Sequence, residues 1–362
     1  MKIRKGSACA RAKISMSNKL RVGIVGYGKM GGIRHQTINA RHDAEVVALC
    51  DPFADLSGNG DIACYKDWRE LLQQPLDAIV VSCTNDLIPT VAVEALNMGR
   101  HVFCEKPPGR NVEDVTSIYE ASGAKPELIL KFGFNHRYHD SVMDAHNLVN
   151  SGRMGRLLWM RGAYGKAGGP EYDQNWRNDP EKSGGGILLD QGIHMIDLFH
   201  SFCGEFNEVQ GMVGRQYWQV PVEDNAFALM RNDAGQVALL HSSATQWRHT
   251  FRLEIYLEKG FLKLGGILSS TMTYGKESLV IARCQYDKSN YPLPNPEETV
   301  TYYDHDRSWE REMDEFVTSI HANEPVKVGT VDHALAAMRA VYAIYGSDAN
   351  WSRELSKKGT VG

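Results

Sequence analysis

Short apolar runs and amphipathic stretches alternate along the first third of the chain. "LRVGIVG", "AEVVALC", "AIVVSC", "HVFCEK" and "LILKFGF" are continuous apolar runs, the pattern of strands buried on both faces. Between them, "DWRELLQQ" and "TVAVEALNMG" have helical spacing, the second closing on Gly99 as a C-cap would. Strands separated by helices predict a parallel, doubly wound sheet.

After residue 135 the texture changes. "DSVMDAHNLVNSG" predicts a helix and "RLLWMRGAYG" a strand, followed by a Gly/Pro-rich loop over 165–186. A second helix is expected over about 190–202, ending near Gly204. Strand-like runs then crowd together: "EVQGMVGRQYW", "DNAFALMRN", "QVALLHSSATQW", "FRLEIYLEKGFLKLGG" and "SLVIARC". "RNDAGQ" and "LEKGF" carry the glycine turn signals of antiparallel hairpins. "ALAAMRAVYAIYGS" is a closing helix. The pattern divides the chain into an α/β unit over 18–135 and an α+β unit, built on an antiparallel sheet, over 136–362.

Composition supports the division and narrows the partners. At 362 residues the chain exceeds what one hydrophobic core usually fills, and 43% hydrophobic with 23% charged residues is ordinary for a globular protein. No apolar run approaches the roughly 18 residues of a membrane span. The net charge of −4 gives no basic surface for nucleic acid. Neither a membrane nor a nucleic-acid partner is expected. Residues 1–17 carry five basic residues, no acid and no apolar signal segment, and read as a disordered extension or an upstream start. Seven scattered cysteines without a C-x-x-C pair predict free thiols in a reducing cytoplasm and no zinc site.

The first candidate chemistry lies directly after the first strand. "GYGKMG" sets Gly26, Gly28 and Gly31 in a G-x-G-x-x-G that opens a helix. Each glycine has a mechanical role: Gly26 for the tight turn, Gly28 for close approach of a pyrophosphate, Gly31 for helix–strand packing. Tyr27, Lys29 and Met30 complete this phosphate-binding turn of a Rossmann unit, whose helix N-terminus favours anions. Asp51 ends the second strand, 20 residues after Gly31, where a carboxylate binds ribose hydroxyls and repels a 2′-phosphate. The expected cofactor is therefore NAD, with NADP possible.

Further motifs join this one. "CEKPPG" ends the fourth strand, and "SGRMG", "NWRNDPEKSGGG" and "GGGILLDQGIH" follow in the second unit. Together with the glycine fingerprint they resemble the glucose–fructose oxidoreductase/inositol dehydrogenase/MocA (GFO/IDH/MocA) family, over residue 20 to about 345. The resemblance implies an N-terminal Rossmann domain and a C-terminal domain with a large open antiparallel sheet, often used for homodimer or homotetramer assembly. It also implies oxidation or reduction of a secondary alcohol or ketone on a sugar, cyclitol or sugar nucleotide.

The matched residues suit that chemistry. Removing hydride from a carbinol carbon requires a base within reach of the hydroxyl proton, and His194, with an ordinary pKa near ~6.5, suits neutral pH. Asp190, at i, i+4 to it, is placed to orient the imidazole or bind a substrate hydroxyl, and Lys106 supplies a cation beside the developing alkoxide. The resemblance implies a Lys106–Asp190–His194 set with His194 as acid/base. Taken alone, the same pair also fits a core histidine and a helix N-cap. The glycines before them read as room for a ligand. Pro107 is trans by base rate, and a cis peptide there is a further hypothesis.

Other candidates complete the site. Glu105, Lys106, Thr84 and Asn85 are expected on the cofactor side, although Thr84 and Ile88 replace the family's usual proline and histidine. Asn135 and Arg137 resemble a substrate-side Asn-x-Arg, and a solvated turn is the alternative. Trp176 can cover an apolar sugar face, and Arg177 can bind a carboxylate or phosphate. Lys166 and Tyr164 are weaker suggestions of the same kind. The expected function is an NAD(P)-dependent oxidoreductase of ring secondary alcohols. The alternatives are an NAD-dependent glycosidase using transient oxidation and a non-catalytic dinucleotide sensor.

Overall fold

The computed structural model describes residues 19–269 and 271–357, so the expectation for residues 1–17 lies outside the described residues. The chain begins β1 (Leu20–Val25), α1 (Lys29–Asn39), β2 (Ala44–Cys50), β3 (Ala63–Tyr65), α2 (Trp68–Leu72), β4 (Ala78–Val81), α3 (Ile88–Asn97), β5 (His101–Cys104), α4 (Val112–Gly123) and β6 (Leu130–Phe132). These strands form one parallel sheet in the order β3-β2-β1-β4-β5-β6, as the alternating pattern predicts. β3 is an addition: Ala63, Cys64 and Tyr65 carry too short and too exposed a run to stand out.

A 3-10 turn (Asn135–Tyr138) leads into α5 (Asp140–Asn150) and β7 (Leu157–Ala167). The stretch expected as plain loop holds 3-10 turns at Tyr172–Gln174 and Trp176–Asn178 and the short α6 (Pro180–Ser183). Asn175 and Asp179 cap these last two, accepting from Arg177 N and Glu181 N. The expected second helix starts earlier than about 190, as a π-helical turn (Leu188–Gly192) that runs into α7 (Ile193–Cys203). Then come β8 (Glu208–Gly214), β9 (Asn225–Arg231), β10 (Val237–Ser243), β11 (Thr245–Leu257), β12 (Gly260–Gly265), β13 (Glu277–Arg283) and β14 (Glu298–Tyr303). Three helices follow: α8 (Ser308–Ala322), α9 (Val331–Ser347) and α10 (Ala349–Lys357).

The second sheet has the order β14-β13-β12-β11-β7-β10-β9-β8. It is antiparallel except at its centre, where β7 and β10 run parallel. The reason is topological. α7 carries the chain back so that β8 runs with β7, and the β8-β9-β10 meander docks through β10. β9 shows how the faces divide: Ala226, Ala228 and Met230 point into the core, whereas Phe227 and Leu229 point outward.

Three connections fix how the units meet. α8 belongs to the second half of the chain, yet Met313, Phe316 and Val317 pack with Val22, Ile24 and Phe103 on one face of the parallel sheet. α9 packs on α4 on one side and on α7 and β8 on the other. A buried ion network lies between α1, β5 and α8: Arg34 reaches Glu105 and Glu312, each at 2.6 Å. Its guanidinium also lies over Phe103, 4.3 Å from the ring centroid. The loop after β4 docks on the second unit through Asn85 Nδ2 to Ser183 O, 2.8 Å.

Candidate active site

The glycine turn is built for close approach. Gly26 has φ +91°, and a Cβ on it would lie 2.5 Å from the Ser82 carbonyl carbon. A Cβ on Gly31 would lie 2.2 Å from Gly26 O. A Cβ on Gly28 would meet nothing within 4 Å, so that position faces open space just before the first turn of α1. That turn has neither a side-chain cap nor an acidic residue, leaving its N–H groups for an anion. Gly26 and Gly31 are packing requirements, and Gly28 is the open floor of a cradle that fits a dinucleotide pyrophosphate.

Tyr27 and Asp51 brace this cradle. Asp51 Oδ2 accepts from Tyr27 N at 2.8 Å, and Oδ1 accepts from Phe53 N and Ala54 N, each at 2.8 Å. Burial works against the charge, but these backbone donors hold the carboxyl below its usual range. Tyr27 OH bonds His35 Nδ1 and Asn59. Lys29 is exposed, while Met30 reaches the cleft wall. Thr84 O accepts from Leu87 N and Ile88 N and starts α3.

Lys106, at the end of β5, faces Asp190 across the junction of the two units. Its Nζ lies 3.7 Å from Asp190 Oδ1 and donates to Asp190 O. The Lys106–Pro107 peptide is cis, against the base-rate expectation. Asp190 sits in the π-helical turn, and two further cations reach it: Lys166 Nζ at 2.9 Å and Arg177 Nε at 3.3 Å. Burial would raise its pKa, but Lys166, Lys106 and Arg177 together hold it far below the carboxylate range. Burial lowers the pKa of Lys106, opposed by Asp190 and reinforced by Arg177 and Lys166.

The cleft has two lobes that share Arg177 and Asp190. One is walled by Met30, Cys83, Asn85, Lys106 and Trp176, the other by Lys166, Tyr172, Asn175, Asn178 and Ile187. Residues from the glycine turn, the β4 and β5 ends and the second unit thus converge. His194 lies behind this wall, 4% exposed. Its ring stacks on His136 at 3.7 Å and 17°, and Tyr164 lies 6.3 Å away. Burial, His136 and Lys106 push its pKa well below the ordinary value. The hydrogen bonds and ion pairs of Asp190 go to the three cations, not to the imidazole it was expected to orient.

Several expected site residues are placed differently. Arg137 forms a bidentate pair with Asp197 at 2.7 and 2.5 Å, which ties the 3-10 turn to α7. Asn135 is buried and bonds Ser308 Oγ at 3.0 Å and His136 Nδ1 at 3.1 Å. Neither belongs to a solvated turn. Glu105 pairs with Arg34 while still lining the cleft lobe beside the glycine turn. The glycine run is filled by protein: a Cβ on Gly184 would lie 2.3 Å from Arg110 O, on Gly185 2.4 Å from Tyr345 OH, and on Gly186 2.0 Å from Glu223 O. A side chain at these positions would meet protein, while the glycine backbone itself lines the cleft, Gly185 in the first lobe and Gly186 in the second.

Glu223, which the motifs did not single out, explains that crowding. Its carboxylate accepts from Gly186 N at 2.8 Å, Leu188 N at 3.0 Å and Tyr345 OH at 2.7 Å. It thereby anchors the turn that carries Asp190. The only sequence signal was the polar triplet Glu223-Asp224-Asn225 between the apolar flanks of "VPVEDNAFA". His136, inside "FNHRYH", was likewise passed over.

Known proteins share this architecture. Residues 20–130 match the family model described as "Oxidoreductase family, NAD-binding Rossmann fold", and residues 142–263 match "GFO/IDH/MocA C-terminal domain". A myo-inositol 2-dehydrogenase of Thermotoga maritima is 24% identical over 88% of this chain and 93% of its own length. A D-glucoside 3-dehydrogenase of Escherichia coli is 27% identical over 63% of this chain and 71% of its own. The solved structure of a levoglucosan dehydrogenase, in complex with NADH and levoglucosan, superposes with TM-score 0.80 at 20% identity, covering 92% of this chain and 98% of that one.

The glycines make opposite predictions. Gly28→Ala leaves stability within about 0.5 kcal/mol but weakens NADH binding about tenfold or more. Gly186→Ala destabilises the fold, because its Cβ would collide with backbone. Urea unfolding and NADH fluorescence titration check both. Unchanged NADH affinity in Gly28→Ala contradicts the cradle.

Proposed function

The chain belongs to the GFO/IDH/MocA family of NAD-binding oxidoreductases, and from that premise we propose that it transfers a hydride between nicotinamide and a ring secondary alcohol or ketone of a sugar, cyclitol or sugar derivative. One observation carries the reading. Lys106 from the Rossmann unit and Asp190 from the second unit meet across a cleft whose nearer wall is Met30 and Cys83, beside the glycine cradle. The names of the matched inositol, glucoside and levoglucosan dehydrogenases support the choice of a ring hydroxyl.

When bound, the dinucleotide supplies the hydride acceptor. Lys106 Nζ stands as a fixed cation in the cleft and stabilises the reacting oxygen as negative charge grows on it. The motif resemblance assigns the hydroxyl proton to His194, which is buried just behind the wall that the two lobes share. Stacked on His136 and facing the charge of Lys106, its imidazole is held neutral, ready to accept. Asp190, committed to Lys106, Lys166 and Arg177, is a positioning residue that keeps the cations aligned. Asp51, directly after β2 and held charged, supports NAD over NADP, since a carboxylate there would repel a 2′-phosphate. The free thiols Cys50, Cys83, Cys104 and Cys203 support a reducing cytoplasmic setting, and no helix among the described residues is long and apolar enough to cross a membrane. Exposed Met212, Phe227, Leu229 and Leu239 on the open face of the second sheet support a homo-oligomer formed through that face.

In a screen of polyols and sugars, substrate oxidation is expected to leave stoichiometric reduced dinucleotide; no activity in either direction would overturn the reading. His194→Ala or Lys106→Ala lowers kcat/KM by about 10²–10⁴-fold with NAD affinity nearly unchanged, and near-wild-type turnover in both sinks the assignment. The base must be neutral to act, and a lowered pKa postpones its protonation to lower pH. The acid limb of the oxidation profile therefore falls below about 6.5; an inflection above that value argues against His194. Asp51→Ser narrows the preference for NAD over NADP, and an unchanged ratio of kcat/KM values contradicts the role given to Asp51. Sedimentation velocity checks the sheet interface: Phe227→Glu dissociates an oligomer formed there, whereas an unaltered assembly places the contact elsewhere.

A further inference from the structure

The charge balance of the cleft is uneven. Lys106, Lys166 and Arg177 all converge on the single carboxylate of Asp190, at 3.7, 2.9 and 3.3 Å. The neighbouring acids are engaged elsewhere: Glu105 pairs with Arg34 at 2.6 Å, and Glu223 is taken up by Gly186 N, Leu188 N and Tyr345 OH. Two positive charges are left in excess in a half-buried site, where they repel one another more strongly than in water.

The excess is not spread evenly. Lys106 faces the lobe beside the cofactor cradle and donates to Asp190 O as well as facing its carboxylate. Lys166 borders the far lobe with Tyr172, Asn175 and Asn178, and Arg177 stands between the two lobes, lining both. Arg177 is held in a defined pose: Asn175 Oδ1 accepts from its backbone N at 3.0 Å, and its guanidinium lies 4.6 Å from the Trp176 ring centroid. Its Nε meets Asp190, while its two terminal nitrogens bond none of the described residues. A planar fork with free N–H groups beside an ammonium matches an anionic oxygen group.

We propose that the far lobe binds an anionic substituent of the substrate through Lys166 and Arg177, so that the substrate is a ring alcohol bearing a carboxylate or phosphate rather than a neutral sugar or cyclitol. The inference rests on the reading of the cleft as the site of ring-alcohol oxidation. It adds a class: the reacting hydroxyl faces Lys106, and the acidic group lies beyond Asp190.

Isothermal titration calorimetry of the full chain with NADH bound tests it, using matched pairs: glucuronate and glucose 6-phosphate against glucose, galacturonate against galactose, and inositol phosphate against inositol. At least one anion is expected to bind about tenfold or more tightly than its neutral counterpart, and added salt should shrink the difference. A carboxylate-led preference and a phosphate-led preference both support the proposal and identify the group. Lys166→Gln and Arg177→Gln, made singly, should each reduce the preference. The proposal is overturned if no anion outbinds its neutral partner, or if the preference survives both substitutions. Reduction of NAD by the same panel reports separately on the parent reading. Oxidation of neutral members without anionic preference defeats only this inference, and anionic preference without any oxidation defeats the dehydrogenase reading and with it the substrate assignment, leaving only an anion site.

Discussion

The site depends on keeping Asp190 charged while its side chain is only 17% exposed. Removing a carboxylate from water is costly unless opposite charge replaces the solvent. Three elements supply that charge: the end of β5 gives Lys106, β7 gives Lys166, and the 3-10 turn at Trp176–Asn178 gives Arg177. Because the cations come from both halves of the molecule, this cluster also sets how the cleft walls face each other. Asp190 can hold them only if its own turn is fixed, which Glu223 achieves from within the core by binding Gly186 N and Leu188 N. The close approach of Gly186 to Glu223 O leaves no space for a side chain.

A second ion network stabilises the opposite side of the Rossmann sheet. Arg34 on α1 bridges Glu105 on the β5 end and Glu312 on α8. Within the motif Glu105-Lys106-Pro107, two adjacent residues therefore serve different ends. Glu105 fixes the helix that follows the glycine turn, and Lys106 turns the other way into the cleft. No solvent reaches Arg34 or Glu312, and this burial lifts the Glu312 pKa to about 7 even with Arg34 beside it. Arg137 plays a comparable part: paired with Asp197, it fastens the turn carrying His136 to the helix carrying His194.

The elements most legible in the sequence were those whose stability is local. β4 is wholly apolar, β1, β2 and β5 are interrupted only by Arg21, Glu45 and His101, and the three glycines of the turn have spacing that is itself the signal. The Lys106–Asp190 encounter was also readable, through motif resemblance. What stayed hidden depends on contacts distant in sequence. The polar, exposed β14 gains strand structure only from pairing with β13, and α8 reveals its apolar face only against the parallel sheet. The parallel pairing of β7 with β10 follows from the return path of α7, which no periodicity encodes. Arg137 and Glu105 were expected at the site through resemblance, Arg137 to a substrate-side Asn-x-Arg and Glu105 within Glu105-Lys106-Pro107. Their partners, Asp197 and Arg34, lie 60 and 71 residues away, so their structural duties were invisible in a one-dimensional reading.

The two halves of the cleft are coupled through charge. A proton accepted by His194 creates an imidazolium stacked on His136 and exposed to the field of Lys106. His139 adds to the same field, and Lys166 and Arg177 lie on the far side of Asp190. Burial, His136, Lys106 and His139 all oppose a positive charge on His194, so a neutral ligand leaves it a weak base. An anionic group between Lys166 and Arg177 would cancel part of the excess and make protonation of His194 less costly. Substrate charge then affects catalysis as well as affinity. The ligand that satisfies the cations would also prepare the imidazole to accept its proton, so that binding in the far lobe favours proton transfer in the near one.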